Sequence, residues 1–347
     1  MNAPDVLSAA PPPVSEDEAA RVAREFFGVV GRAENLASER DANFHIRTTE
    51  GPGFTLKFAN PAEPHLNTNF QTEALLHLER ADPTLPTPKV HQTLQGDLEI
   101  RLPLRDGRES LVRLVSWLDG VPVHGVSMTD ELRRDIGRTL ARLGRAFADF
   151  DHPASSLHLL WDIKNAAELL PLTDWIADNP MRETVRAELA HFESEVRPRL
   201  GTLRQRVVHN DLNHHNILVD PRQPERISGV LDFGDMVKTA IAIDVAVAAS
   251  YLTPVNGPLA AISPMLASYH AVMPLEREEI ELLRDLIVAR LSTTITITEW
   301  RSRRNPDNAG YILRNNGPAR RGMETFARLP RAEVTRALLN CCGMEVS

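Results

Sequence analysis

The chain has 347 residues, 42% of them apolar and 25% charged, with a formal net charge of −8. That composition excludes a largely disordered or fibrous chain, and the acidic balance speaks against nucleic acid and for a cationic small substrate. At about 100–200 residues per domain the length implies two domains, or two lobes sharing a cleft, and no run of roughly 18 apolar residues announces a membrane helix.

Residues 1–14 read as a flexible tail. The opening stretch is rich in Ala and Pro and lacks the basic start and apolar core of a secretory signal. Ser15 and Glu18 then have the S-x-x-E spacing of a capping box, in which each side chain satisfies a backbone N–H at the start of a helix. Val22, Phe26 and Val30 follow at helical spacing. From Asn43 the period changes to two. Phe44, Ile46 and Thr48 alternate with polar residues, Glu50-Gly51-Pro52-Gly53 makes a turn, and Phe54, Leu56 and Phe58 alternate again, which predicts a β-hairpin. A helix is predicted over 67–80, and strands over 89–95, 98–102 and 111–116. Beyond Gly120 the strand pattern fades. Helices are predicted over 129–150, 185–196, 239–252 and 276–300, interrupted by two short apolar runs within 206–233. The division is therefore 15–119 for an N-terminal lobe with an antiparallel sheet and 120–347 for a larger, mainly helical lobe, an α+β chain. Its only cysteines, Cys341 and Cys342, are adjacent and cannot staple a fold, which points to a reducing, cytoplasmic compartment.

The chemistry concentrates in one segment. His209-Asn210-Asp211 is followed by Asn216 and, sixteen residues later, by Asp232-Phe233-Gly234. This H-x-D-x-x-x-x-N followed by D-F-G resembles the catalytic loop and metal-binding segment of the kinase fold, in the form used by the aminoglycoside phosphotransferase family. The resemblance runs from residue 17 onward, because the lobe order also agrees. It implies a bilobal, protein-kinase-like fold and transfer of a nucleotide's γ-phosphate to a hydroxyl. The residue types fit that reaction. Asp211 can accept the hydroxyl proton, while Asn216 and Asp232 offer hard oxygens to Mg²⁺. Asp, Asn and Gly are also turn residues, and the spacing is what favours the catalytic reading.

The resemblance further implies a phosphate-binding lysine and a partner carboxylate in the first lobe. Lys57 and Thr55 share the face of their strand opposite Phe54, Leu56 and Phe58. By the resemblance, a lysine on that face can reach the α- and β-phosphates, and Thr55 can flank the base. Glu73, on the next helix, matches the carboxylate that holds the lysine. The loop 37–43 lacks the G-x-G-x-x-G of protein kinases, which argues against a protein substrate. Ser38 and Asn43 in or beside it either contact phosphate or form an ordinary polar turn. His209 is expected to pack the loop and Asp244 to brace it from a helix, while His214 and His215 either face the substrate cleft or, the favoured reading, are solvated.

Within the family the chain resembles most the hydroxylysine kinase branch, through Leu160–Asn165 and Thr298–Asn308. That branch implies a small hydroxylated amine or amino acid as acceptor and ATP or GTP as donor. The acceptor's ammonium would pair with Asp162 or Asp235 and its carboxylate with Arg301 or Arg303, arginines that could equally line a solvated helix face. Homoserine, choline or ethanolamine, and aminoglycosides are rival acceptors. A nucleotide-binding module without catalysis is a rival of another kind, against which the intact Lys57, Asp211, Asn216 and Asp232 argue. The sequence is silent on the oligomeric state.

Overall fold

The structure is a computed structural model, and it describes residues 10–38 and 40–345. Most of the expected tail, residues 1–9, lies outside the described residues. Residues 10–14 are not loose. The carbonyl of Ala10 accepts from Asn60 and Arg108, and Pro12 is buried. The described chain packs as two units. One takes residues up to Gly120 together with 152–154 and 228–231, and the other takes the rest.

In the first unit, α1 (Glu16–Phe27) starts where Ser15 Oγ accepts the Glu18 N–H at 3.3 Å. Only that half of the predicted box is seen, because the Glu18 carboxylate pairs with Arg105 at 3.2 Å. The helix stops at Gly28, whose φ of 69° suits a residue without a Cβ. Val30 therefore falls off the helical face and is 67% exposed.

An antiparallel sheet follows, built from β1 (Gly31–Leu36), β2 (Ala42–Thr48), β3 (Phe54–Phe58), β4 (Val90–His91), β5 (Ile100–Pro103) and β6 (Glu109–Ser116). The order is β1-β2-β3-β6-β4, with β5 also on β6. Phe44, Ile46, Leu56, Phe58, Val112 and Leu114 bury one face against Ala19, Val22, Ala23 and Phe27 of α1. The other face carries Lys57 between Asn43 and Arg113, and Thr55 between His45 and Val115. Arg113 anchors α2 (His65–Ala81) to this face. It donates to Thr68 O at 3.0 Å, to Thr72 Oγ1 at 3.2 Å and to Gln71.

The second unit is mainly helical. Its α3 (Asp130–Ala146) is capped by Thr129 and buries Leu132, Ile136, Leu140 and Leu143. Gly137 lets α6 (Pro258–Val272) approach, since a Cβ there would lie 2.1 Å from Met265 O. Between them in sequence come α4 (Asn179–His191) and α5 (Ile241–Ser250). The central element is α7 (Arg277–Arg304), 28 residues and ~42 Å long, buried on nearly every side except near its ends. It packs on α5, on the 3₁₀ stretch Ile163–Trp175, and on α8 (Asn316–Phe326) and α9 (Arg331–Cys341). Among the described residues no helix is long and apolar enough to cross a membrane.

The segment predicted as two apolar runs forms strands. β8 (Gln205–Val208) pairs antiparallel with β11 (Val237–Ala240), and β9 (Ile217–Asp220) lies between β7 (Val121–Pro122) and β10 (Gln223–Val230). The loop 209–216 thus leaves one anchored strand and enters another.

Candidate active site

Local backbone geometry fixes the loop. Asn210 and Asp232 are the only residues other than glycine with positive φ among those described, at 62° and 58°. Left-handed backbone costs such residues energy and persists where surrounding contacts hold it. For Asn210 the contact is Asp244 on α5, whose Oδ1 accepts the Asn210 N–H at 2.8 Å. Burial pushes the Asp244 carboxyl up, and His209 with the backbone N–H groups of 209 and 210 works in the other direction. His209 is fully buried. Its Nδ1 accepts the Asp211 N–H at 3.3 Å and its ring meets Phe233 edge-on at 4.9 Å. Both residues therefore hold the loop, as expected.

Asp211 is clamped at both oxygens. Oδ2 accepts from Asn213 Nδ2 at 2.8 Å and from Asn216 Nδ2 at 2.9 Å, and Oδ1 accepts from Arg290 Nη2 at 2.7 Å. Its side chain keeps 17% exposure. Burial raises its pKa, the Arg290 guanidinium and the Asn213 hydrogen bond oppose that, and the nearby charge of Asp232 adds to the rise. Asn216 spends Nδ2 on Asp211 twice, on Oδ2 and on the carbonyl at 3.0 Å. That fixes the amide and turns its Oδ1 away from Asp211. Asp232 is exposed, and one of its oxygens accepts only the Gly234 N–H at 3.1 Å. Two oxygen donors, one anionic and open, fit a hard cation that completes its shell with water and phosphate. Among the described residues no group of three or more His, Cys, Asp or Glu could hold a metal alone.

Sequence reasoning missed Arg290. It sits 2% exposed on α7, also donates to Trp161 O at 3.1 Å and Tyr251 Oη at 3.3 Å, and stacks 5.1 Å from the Trp161 ring centre. The available signal was an arginine inside the apolar run 286–291, because a buried cation requires a carboxylate. Burial disfavours its charge, but Tyr251 and Asp211 more than compensate and hold its pKa above the ordinary value.

The two histidines expected in solvent are only partly so. His214 is largely buried, its ring 5.6 Å from Tyr251, and burial together with His215 and His124 lowers its pKa to about 4. His215 is half-buried, with its ring 4.7 Å from His124.

The acceptor candidates separate. Asp162 is fully buried, pairs with Lys164 at 2.9 Å, accepts from Thr239 at 3.3 Å and caps the stretch that follows it. Its carboxylate is committed to holding that segment, which corrects the ammonium-binding role expected for it. Arg301 is only 7% exposed, so the solvated face does not extend to it, while Arg303 and Arg304 are exposed. Asp235 is half-buried and close enough to Arg290 to favour its charge.

In the first unit, Lys57, Thr55 and Asn43 do share one sheet face. Lys57, Thr55 and Glu73 are half-buried, as is Ser38 in its loop. Asn43 Oδ1 is buried without a hydrogen-bond partner among the described residues.

Comparison with known proteins gives this geometry its family. Hydroxylysine kinase of Mus musculus is 29% identical over 332 residues, covering 88% of this chain and 87% of that protein. An amicoumacin kinase solved with AMP-PNP, Ca²⁺ and its ligand matches with a TM-score of 0.68 at 14% identity, over 92% of this chain and 97% of that one. A microcompartment-associated aminopropanol kinase matches at 0.62 and 17%, over 94% and 99%. The structural likenesses establish an α+β, protein-kinase-like fold. The model of the phosphotransferase enzyme family matches residues 32–283, most of the chain, and the protein belongs to that family.

Proposed function

We propose that this phosphotransferase is a small-molecule kinase that moves the γ-phosphate of a nucleoside triphosphate, ATP or GTP, to a hydroxyl of a hydroxylated amino acid or amino alcohol of the hydroxylysine kind. The observation that carries the reading is the hold on Asp211: three side-chain donors fix a carboxylate that still reaches solvent, beside Asp232.

The acceptor's O–H gives its proton to Asp211 as its oxygen bonds to the γ-phosphorus, and the bond from that phosphorus to the nucleoside diphosphate breaks. Asn216 through Oδ1 and Asp232 through its carboxylate would hold Mg²⁺, which when bound neutralises the phosphate oxygens. Lys57 serves the α- and β-phosphates, with Glu73 as its support, Thr55 beside the base, and Ser38 and Asn43 as further phosphate contacts. Asp235 is the carboxylate proposed to meet the acceptor's ammonium. The likeness to mouse hydroxylysine kinase over most of both chains supports the acceptor class.

The test is nucleotide consumption and product formation with a panel of hydroxylysine, homoserine, choline, ethanolamine and kanamycin. Highest kcat/KM for hydroxylysine supports the full reading. Preference for another compound moves the acceptor and keeps the kinase. Nucleotide binding without transfer to any hydroxyl would leave a non-catalytic module.

A further inference from the structure

The acceptor reading leaves one role open, the group that meets the acceptor's carboxylate. Arg301 is buried and Arg303 faces solvent. Arg320 is engaged by Glu299 at 3.1 Å and Asp178 at 2.7 Å, and Arg331 by Glu188 at 2.8 Å and by Asp285.

Arg314 differs. It lies in the short turn Leu313–Asn315 between α7 and α8, is exposed, and makes no ion pair with any carboxylate among the described residues. Its guanidinium stacks on the Tyr311 ring at 3.7 Å from the centre. Stacking fixes the plane of the group and leaves its N–H edges free, the geometry that receives a carboxylate in a fork.

The turn is tied to the catalytic loop. The Asn315 side chain is near enough to His215, next to Asn216, to act on its ring, and Asn316 Nδ2 donates to Thr298 Oγ1 of α7 at 2.9 Å. Arg314 is close enough for its charge to act on His215, Tyr251 and Asp211. An oriented cation that pairs with no carboxylate among the described residues thus lies within electrostatic reach of the carboxylate that would take the acceptor's proton, and Asp235 lies within such reach of Arg290 on the same unit.

We propose that Arg314, held flat by Tyr311, binds the carboxylate of the acceptor and makes the enzyme select a hydroxylated amino acid over its decarboxylated counterpart. This rests on the kinase reading above and names the specificity residue of that site. Recognition is electrostatic and forked, so a lysine can replace only part of it.

The experiment compares kcat and KM for hydroxylysine and for the hydroxylated diamine that lacks its carboxylate, in the wild type and in Arg314→Met, Arg314→Lys and Tyr311→Leu. Wild type should favour hydroxylysine. Arg314→Met should lower that preference by ~10–100-fold, mainly through the KM for hydroxylysine, as loss of charge-assisted hydrogen bonds predicts. Arg314→Lys should recover part of it, and Tyr311→Leu should lose a smaller part. Equal losses for both acceptors, or a raised KM for the nucleotide instead, would overturn the assignment and place Arg314 on phosphate. A wild type that phosphorylates the diamine as well as hydroxylysine also overturns it while leaving the kinase standing. Absence of transfer to any hydroxyl compound would remove the kinase reading, and this role with it.

Discussion

Arg290 Nη2 donates to Asp211 Oδ1 at 2.7 Å, joining the centre of α7 to the loop 209–216 across 79 residues of sequence. The contact makes the helix part of the candidate site. Arg290 cannot leave it cheaply, because its guanidinium is 2% exposed and also fixed by Trp161 O and Tyr251 Oη. Removing one member of such a pair leaves the other charge desolvated, and this costs more than the pair itself contributes.

Arg290→Met should therefore lower stability by about 3 kcal/mol and cut kcat by more than tenfold, since Asp211 loses one of its orienting donors. Arg290→Lys keeps a charge but cannot span three acceptors with a fork, so it should fall between. Urea midpoints and steady-state kcat check this. Wild-type values in both for Arg290→Met would mean that the ion pair orients nothing.

Asp232→Asn isolates charge from shape. Asn tolerates the left-handed backbone at φ 58° and keeps an oxygen for the Gly234 N–H. Thermal stability should stay near wild type. Turnover with Mg²⁺ should fall by at least a hundredfold, because an anionic oxygen for the cation is gone. Normal turnover would remove Asp232 from the metal site.

How much of this the sequence disclosed depends on whether a residue's role is written in local pattern. The β2 and β3 hairpin was legible because Phe44, Ile46, Leu56 and Phe58 all turn to one core. β1 was not, because Gly31–Leu36 buries only Ala33 and shows no alternation. The grouping of Asp211, Asn216 and Asp232 was legible because the three stand at the spacing of the family motif, and the structure does bring Asn216 and Asp232 to Asp211. Arg290 was not assigned, since an apolar helix shows that its arginine must be paired but not to what. Asp162 looked like an acceptor ligand from its charge and its place in the stretch Leu160–Asn165, and only the packing against Lys164 and Thr239 shows it committed elsewhere.

A second charge cluster gives a pH prediction for stability. Glu188 on α4 accepts from Arg284 of α7 at 2.9 and 3.1 Å and from Arg331 of α9 at 2.8 Å. Burial alone would raise its pKa, but the hydrogen bonds and charges of Arg284 and Arg331 outweigh it, and the net direction is below the ordinary 4.5. A depressed carboxyl stabilises the fold fully above its unfolded value and loses that contribution as pH falls through the folded one. Glu188→Gln should cost about 2 kcal/mol at pH 7, and its difference from wild type should shrink below about pH 4.5. Denaturant midpoints of both proteins between pH 7 and 3 test it, and a difference that stays constant with pH would show that the charge of Glu188 is not what binds the three helices.

Asp211→Asn tests the base and the clamp together. Every side-chain contact to this carboxylate is a donor: Asn213 and Asn216 on one oxygen, Arg290 on the other. An amide presents an acceptor on one side only, so its NH₂ must face either the two asparagines or the guanidinium. The substitution thus removes the proton acceptor and also breaks one side of the clamp. General-base contributions are on the order of 10²–10⁴-fold, and a loose transition state places the chemical part at the low end. We expect kcat to fall by about that factor and stability by about 1–3 kcal/mol, the cost of an unsatisfied buried donor. Nucleotide affinity should change little, because the proposed phosphate ligands Lys57, Ser38 and Asn43 belong to the other unit. Lys57→Ala should do the reverse, raising the KM for nucleotide with every acceptor. Isothermal titration with a non-hydrolysable nucleotide separates the two variants. If Asp211→Asn lost nucleotide affinity while its kcat at saturation stayed near wild type, Asp211 would be a nucleotide-site residue and not the base.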